Sequence, residues 1–222
     1  MQGWWVSDVL SLPDGAVVLV SWATWIVVSI VLHELGHGYA ALAQGDRTPR
    51  ELGHITLNPL VHMGVMSLVA FALLGIAWGA MPVNPSRFRS RYGEAIVAAA
   101  GPAVNVALVV VASVGLFAVV AIGPNLPGSL VLRTNLVTFF DLGIVLNVAL
   151  LLLNLLPVPP LDGSRILSDL VPSYARLLRG ENAQWLGLAL FAGVFFFGAD
   201  LIFGSGRFVA DQIGAAIAAV VS

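Results

Sequence analysis

Two histidines and a glutamate lie within five residues at His33-Glu34-Leu35-Gly36-His37, inside an otherwise apolar run. On a helix, positions i and i+4 share one face a turn apart, so both imidazoles can bind a single Zn²⁺. The glutamate between them can then act as a base on a metal-bound water. In an apolar span, three ionisable groups so close together are costly unless they share a function. The chemistry indicated is metal-assisted hydrolysis of a peptide bond at membrane depth. The competing reading is a polar face buried in a helix bundle. Chance matches to H-E-x-x-H are rare, in well under roughly 1% of chains this long, which weighs against it.

The composition sets the environment. Of 222 residues, 59% are hydrophobic and only 10% are charged, and the mean hydropathy is +0.94. Soluble domains carry about 25% charged residues. So little polar surface cannot cover a globule in water, and the chain reads as an all-α polytopic membrane protein. Residues 1–222 are expected to form a single integral-membrane domain, with its core at about 16–168 and C-terminal helices at about 184–222. All ten basic residues are arginines scattered over several loops, which argues against a nucleic-acid face. The absence of cysteine excludes disulfides and thiolate metal sites. Residues 1–15 lack a basic leader, and the first apolar run carries the histidines, so that run is not expected to be a discarded signal peptide. Trp4 and Trp5 suit either interfacial anchors or a short surface helix.

About 20 apolar residues cross a bilayer as a helix. Five to six segments qualify or come close: 16–43, 60–79, 94–122, 136–156, 185–203 and the short, weakly amphipathic 208–221. Residues 45–59 read as loop and strand, 78–88 as a Pro-rich extended stretch, and 164–184 as the long polar connection. The segment at 60–79 decides the topology. If it crosses, the arginines split weakly between the faces. If it is re-entrant, or returns through 78–88, eight arginines share a face: Arg47, Arg50, Arg87, Arg89, Arg91, Arg165, Arg176 and Arg179. Only Arg133 and Arg207 then lie opposite, as the positive-inside rule prefers. The spans at 16–43 and 136–156 then run parallel.

A catalytic zinc usually keeps three protein ligands and one open position. Asp162, in Leu161-Asp162-Gly163 just past 136–156, suits the parallel arrangement as third ligand. Its rivals are Asp141, Asp200, His54 and His62. Asn147 and Asn154 are seven residues apart and share a face expected to point into the bundle. Interhelical hydrogen bonding suffices for Asn147. Pro157, Pro159 and Pro160 cannot continue a helix, and the irregular backbone they impose would aim Asp162 back toward the histidines.

His33-Glu34-x-x-His37, followed by Asn154-x-x-Pro157-x-Pro159-x-Leu161-Asp162-Gly163, resembles the paired signature of site-2 proteases, zinc intramembrane proteases of M50 type with a three-helix core. Gly101-Pro102-x-x-Asn105 resembles the motif opening the middle core helix. Thr56-Leu57-Asn58-Pro59-Leu60-x-His62 and Pro82-Val83-Asn84-Pro85 resemble the compact bacterial branch without PDZ or CBS domains. One position departs from that branch: Gly64 stands where an Asp is expected. The resemblance covers about residues 31–168. It implies one Zn²⁺ per chain held by His33, His37 and Asp162, and catalysis by Glu34 as general base. It gives Asn154 a role on the substrate backbone or the oxyanion, and leaves Asn105 open between a structural and a functional role. It further implies single-span membrane-protein substrates and a multi-pass protein of the cell membrane, the bacterial inner membrane. A substrate helix must unwind, and extended backbone at 55–59 or 82–85 could receive it as a strand.

Other classes fit the residues less well. An inactive metal-binding scaffold does not explain an intact Glu34, and an inverted-repeat transporter should show two related halves. A membrane zinc peptidase for soluble or lipidated substrates would want a downstream Glu ligand. Only Glu51, Glu94 and Glu181 remain for that, none on a convincing helix end.

Overall fold

The computed structural model describes residues 4–123, 130–180 and 182–221. It is helical, with no strand among the described residues. In chain order the helices are α1 (Trp5–Leu10), α2 (Gly15–Ala43), α3 (Thr48–Glu51), α4 (Pro59–Leu74), α5 (Gly93–Ile122), α6 (Leu130–Leu155), α7 (Asp162–Leu170), α8 (Pro172–Leu177), α9 (Ala183–Phe197) and α10 (Ala199–Val221). By length and composition α2, α5 and α6 can each cross a membrane. The pair α9–α10, bent by 56°, counts as a fourth span if taken together.

The three long helices pack against one another, and α10 lies along α6. Their shared core is formed by Trp25, Ile30, Leu108, Leu116, Ile144 and Leu146, with neighbours of similar type. Small residues allow the close approach. A Cβ at Gly143 would lie 2.4 Å from the Trp25 ring, and one at Gly36 would lie 2.9 Å from the Ala100 carbonyl oxygen. The Trp25 indole N–H donates to the Phe139 carbonyl at 2.8 Å. Early α2 therefore meets early α6, and the two run parallel, as the arginine distribution predicts. α5 runs antiparallel between them: His33 faces Asn105, whereas His37, one turn on, faces Val97.

The 60–79 segment goes out and comes back. α4 is kinked at Gly64, whose backbone (φ 68°, ψ 167°) lies outside the helical region, and it ends at Gly75 in the left-handed conformation. The chain then returns extended beside α4. The Ser67 hydroxyl bonds both the N–H and the C=O of Trp78, at 2.8 and 2.7 Å, and the Ala80 N–H donates to the His62 carbonyl at 2.9 Å. The start and end of this excursion are tied together. Asn84 N–H donates to the fully buried Asp46 carboxylate at 2.6 Å, and Arg89 N–H donates to the Gln44 carbonyl at 2.9 Å. Irregular backbone at membrane depth needs such internal satisfaction.

Three expectations are corrected in detail, and a fourth is filled in. Residues 45–59 hold the short helix α3 and no strand, because Asp46 accepts from Thr48 N–H and opens a turn before Pro49. α6 begins at Leu130, earlier than 136. The polar connection holds α7 and α8. The last break falls at Gly198 rather than at 204–207, so α10 is 23 residues long. Trp4 and Trp5 each donate an indole N–H to the Ala72 carbonyl, at 3.1 and 3.2 Å. This short helical segment thereby caps the tip of the re-entrant hairpin.

Candidate metal centre

His33 and His37 project from α2 toward Asp162, the first residue of α7. The Asp162 Oδ2 lies 3.1 Å from His33 Nε2 and 3.2 Å from His37 Nε2, and the two Nε2 atoms are 3.0 Å apart. All three residues are buried. The other ring nitrogens are held elsewhere: His33 Nδ1 by Asn105 Oδ1 and His37 Nδ1 by the Val97 carbonyl, each at 2.7 Å. Both Nε2 lone pairs are therefore left to point at the carboxylate.

Local sequence explains how a residue beyond α6 reaches this point. After Leu155 the backbone closes tight turns (Val158 N–H to Leu156 O, 2.8 Å; Leu161 N–H to Val158 O, 2.9 Å) through a stretch whose prolines cannot extend the helix. α7 then starts directly against the end of α6. A Cβ at Gly163 would lie 2.2 Å from the Leu155 carbonyl oxygen. The glycine after Asp162 is thus a packing requirement, and it delivers Asp162 into the bundle. α7 is fastened to α5 as well, with Ala95 N–H donating to Asp169 Oδ2 at 2.8 Å.

The donor set suits zinc. Two imidazoles and a carboxylate match its borderline character, and tetrahedral bonds of about 2.0–2.1 Å place ligands about 3.3 Å apart, within a few tenths of an ångström of this triangle. The wall opposite is kept bare by Gly101, where a Cβ would lie 2.5 Å from both Nε2 atoms. The sequence singled out Gly101-Pro102 as a motif but not this reason for it.

Glu34 is 8% exposed and borders a cavity of about 710 Å³. The returning chain passes directly over it, and a Cβ at Gly79 would lie 2.7 Å from Glu34 Oε1. Asn154 lines the same cavity, with its amide donating to the Leu150 carbonyl at 3.0 Å. The far wall comes from α9, through Phe191 and Phe195, a contribution with no signal in the sequence beyond apolarity.

The rival ligands are elsewhere. Asp141 takes a two-pronged ion pair from Arg207 on α10. Asp200 lines a separate apolar groove. His62 Nε2 bonds the Thr56 carbonyl at 2.7 Å. Glu51 pairs with Arg87 at 2.8 Å, Glu94 sits 3.6 Å from Arg165, and Glu181 lies outside the described residues. Asn147 bridges helices as expected, accepting from Asn105 at 3.1 Å. The buried Asp46 tie was missed, although Asp46-x-Thr48 is a legible turn signal.

Comparison with known proteins agrees with this arrangement. Residues 21–197 match the profile of Peptidase family M50. "Putative zinc metalloprotease YwhC" of Bacillus subtilis (strain 168) is 37% identical over 175 residues, 77% of either chain. "Putative zinc metalloprotease Rip2" of Mycolicibacterium smegmatis is 34% identical over 183 residues, 77% of this chain and 64% of that protein. The Mycobacterium tuberculosis (strain H37Rv) protein of the same name is 32% identical over 148 residues, 64% of this chain and 53% of its own length. No solved structure matched the chain. With two histidines on a helix long enough to span and an aspartate brought to them from α7, and a family match over most of its length, this chain belongs to Peptidase family M50, the zinc metalloproteases of membranes.

Proposed function

We propose that this protein cuts single-span membrane proteins within or near their transmembrane segments, with His33, His37 and Asp162 as zinc ligands and Glu34 as general base. The observation that carries the reading is the meeting of these four groups beside a cavity below the end of α2. His37 precedes the last residue of α2 by six positions, roughly 9 Å at 1.5 Å per residue. When bound, zinc polarises the scissile carbonyl and lowers the pKa of a coordinated water to about 7. Glu34 takes the proton from the attacking water and delivers it to the leaving amine. Asn154, on the cavity wall, offers a side-chain amide to the substrate backbone.

The returning segment at 76–81 is suited to hold an unwound substrate. Trp78 and Ala80 turn backbone groups toward α4. Alternation along an extended chain directs the alternate residues Ala77, Gly79 and Met81 to the other side. A substrate strand pairing there would bring its backbone across Glu34. This favours 76–81 over 55–59 or 82–85 as the receiving edge. Helix-weakening residues in the substrate should speed cleavage, because Gly and Pro lower the cost of opening it.

Under this reading the arginine-rich end faces the cytoplasm and the protein resides in the bacterial inner membrane. Purified protein incubated with a panel of single-span substrates should cleave chelator-sensitively, with the cut near the cytoplasmic end by mass spectrometry. Absence of cleavage in the metal-loaded protein across the panel would count against this substrate class. Labelling of Arg50→Cys and Arg179→Cys from opposite sides of the membrane would overturn the orientation.

A further inference from the structure

Asn105 and Asn147 are both without exposed surface, and together they link His33 to a backbone carbonyl on another helix. The Gly143 carbonyl can only accept, so the amide it meets at 2.9 Å must be the Nδ2 of Asn147. That orientation turns Asn147 Oδ1 toward Asn105. Being an acceptor, it takes a proton from Asn105 Nδ2 at 3.1 Å. Asn105 Oδ1 is thereby turned to His33, and it too can only accept, so Nδ1 of His33 carries the hydrogen across the 2.7 Å contact. A neutral imidazole protonated at Nδ1 has its lone pair at Nε2, the atom that faces His37 and Asp162.

From this chain of forced directions we propose that Asn147 and Asn105 are positioning residues that lock His33 in its metal-binding tautomer, with the Gly143 carbonyl as the fixed end of the relay. The proposal rests on the reading of His33 as a zinc ligand. It accounts for the spacing in Gly101-Pro102-x-x-Asn105. Gly101 and Asn105 are one helical turn apart on one face of α5, the first clearing space before the two Nε2 atoms and the second holding Nδ1 behind them. His37 reaches the same tautomer directly, through the Val97 carbonyl. If Asn105 were free to rotate its amide, it could offer Nδ2 to His33 instead. Nδ1 would then accept, Nε2 would carry the hydrogen, and that nitrogen could no longer ligate. The acceptor on Asn147 opposes this rotation. Groups that orient a ligating histidine typically change metal affinity 10–100-fold when removed.

The test measures zinc affinity of the full chain in detergent by competition with a chromophoric chelator, with the absorption spectrum of the Co²⁺-substituted protein as a second readout. Asn105→Leu, close in volume, should bind zinc about 10–100-fold more weakly and alter the Co²⁺ spectrum. Asn105→Asp should recover part of both, because a carboxylate accepts from Nδ1 in either orientation but meets the Asn147 acceptor with no proton between them. A packing role for Asn105 requires the reverse ranking, with Leu tolerated and the buried charge worst. Asn147→Leu should weaken binding in the same direction by a smaller factor, and it carries the test if Asn105→Leu does not fold. Wild-type affinity in Asn105→Leu and Asn147→Leu, or Asn105→Asp weaker than Asn105→Leu, overturns the relay. His33→Ala is measured alongside. Loss of zinc there with wild-type affinity in the asparagine variants rejects the relay alone, whereas retention of zinc in His33→Ala rejects the ligand assignment beneath it.

Discussion

The molecule holds two histidine pairs, and they differ in everything except the rings. His33 and His37 meet edge to face at 4.7 Å and 84°, and His54 and His62 meet at 6.2 Å and 83°. In the first pair a single helix fixes the spacing, and each Nδ1 is tied to an acceptor, Asn105 or Val97. In the second pair one histidine lies before α4 and the other within it. Among the described residues both Nδ1 atoms are buried without a hydrogen-bond partner, and the Nε2 of His62 is already bonded to Thr56. Among the described residues, only His33, His37 and Asp162 bring three potential ligands together. The comparison teaches that a candidate metal site needs each imidazole's second nitrogen anchored and a third group delivered from elsewhere. Proximity of two rings is insufficient.

Removing the delivered group should break the contrast most completely. Asp162→Ala is expected to lose zinc and all proteolysis, whereas His62→Ala should retain about one zinc per chain by metal analysis. The opposite pattern would transfer the ligand role to the second pair. Next in size, Glu34→Gln should keep its zinc while cleavage falls by about 10²–10⁴-fold, since Gln preserves shape but accepts no proton. Turnover near wild type in that variant would remove Glu34 from the chemistry. Gly101→Ala tests whether the empty side of the first pair matters. The added methyl would meet both Nε2 atoms at 2.5 Å, so zinc occupancy should fall. Helix content should hold, since Ala is the better helix former by about 1 kcal/mol. Full occupancy there would show that the rings can yield.

The smallest effect concerns the second pair alone. Burial, and then the neighbouring His62, hold the His54 imidazole below its ordinary value of about 6.5. A depressed histidine binds fewer protons when folded. Its contribution to stability is therefore complete above about pH 6.5 and is lost as pH falls through the folded value. NMR titration should place His54 below its ordinary range and move it upward in His62→Ala. No movement would mean that the two rings do not sense each other.

Much of the site was legible because its signals are local. H-E-x-x-H needs only helical periodicity to put two rings on one face. Asp162 could be chosen over Asp141 because the arginine bias made α2 and α6 parallel, which placed Asp162 at the histidine end. Asn105 could not be resolved, because its role depends on which way two amides point, and a third group on another helix decides that. The wall formed by α9 was also hidden. Phe191 and Phe195 look like any lipid-facing pair until α9 is placed beside the cavity. The break between α9 and α10 was misplaced for a related reason: glycines recur at 198, 204 and 206, and sequence does not say which one bends the chain.

By itself the sequence determined that this chain lives in a membrane, that His33 and His37 share one helix face beside Glu34 as candidate ligands, and that residues 44–93 leave and return on one face. Those conclusions follow from composition, periodicity and charge bias, each carried by neighbouring residues. Only the tertiary structure decided that Gly163 packs α7 against α6 to deliver Asp162, that Gly101 keeps the space before the imidazoles open, and that Gly79 lays the returning chain over Glu34. Each depends on how closely two backbones approach, a property of pairs of elements distant in sequence. A lone glycine announces that something passes near it, but not what.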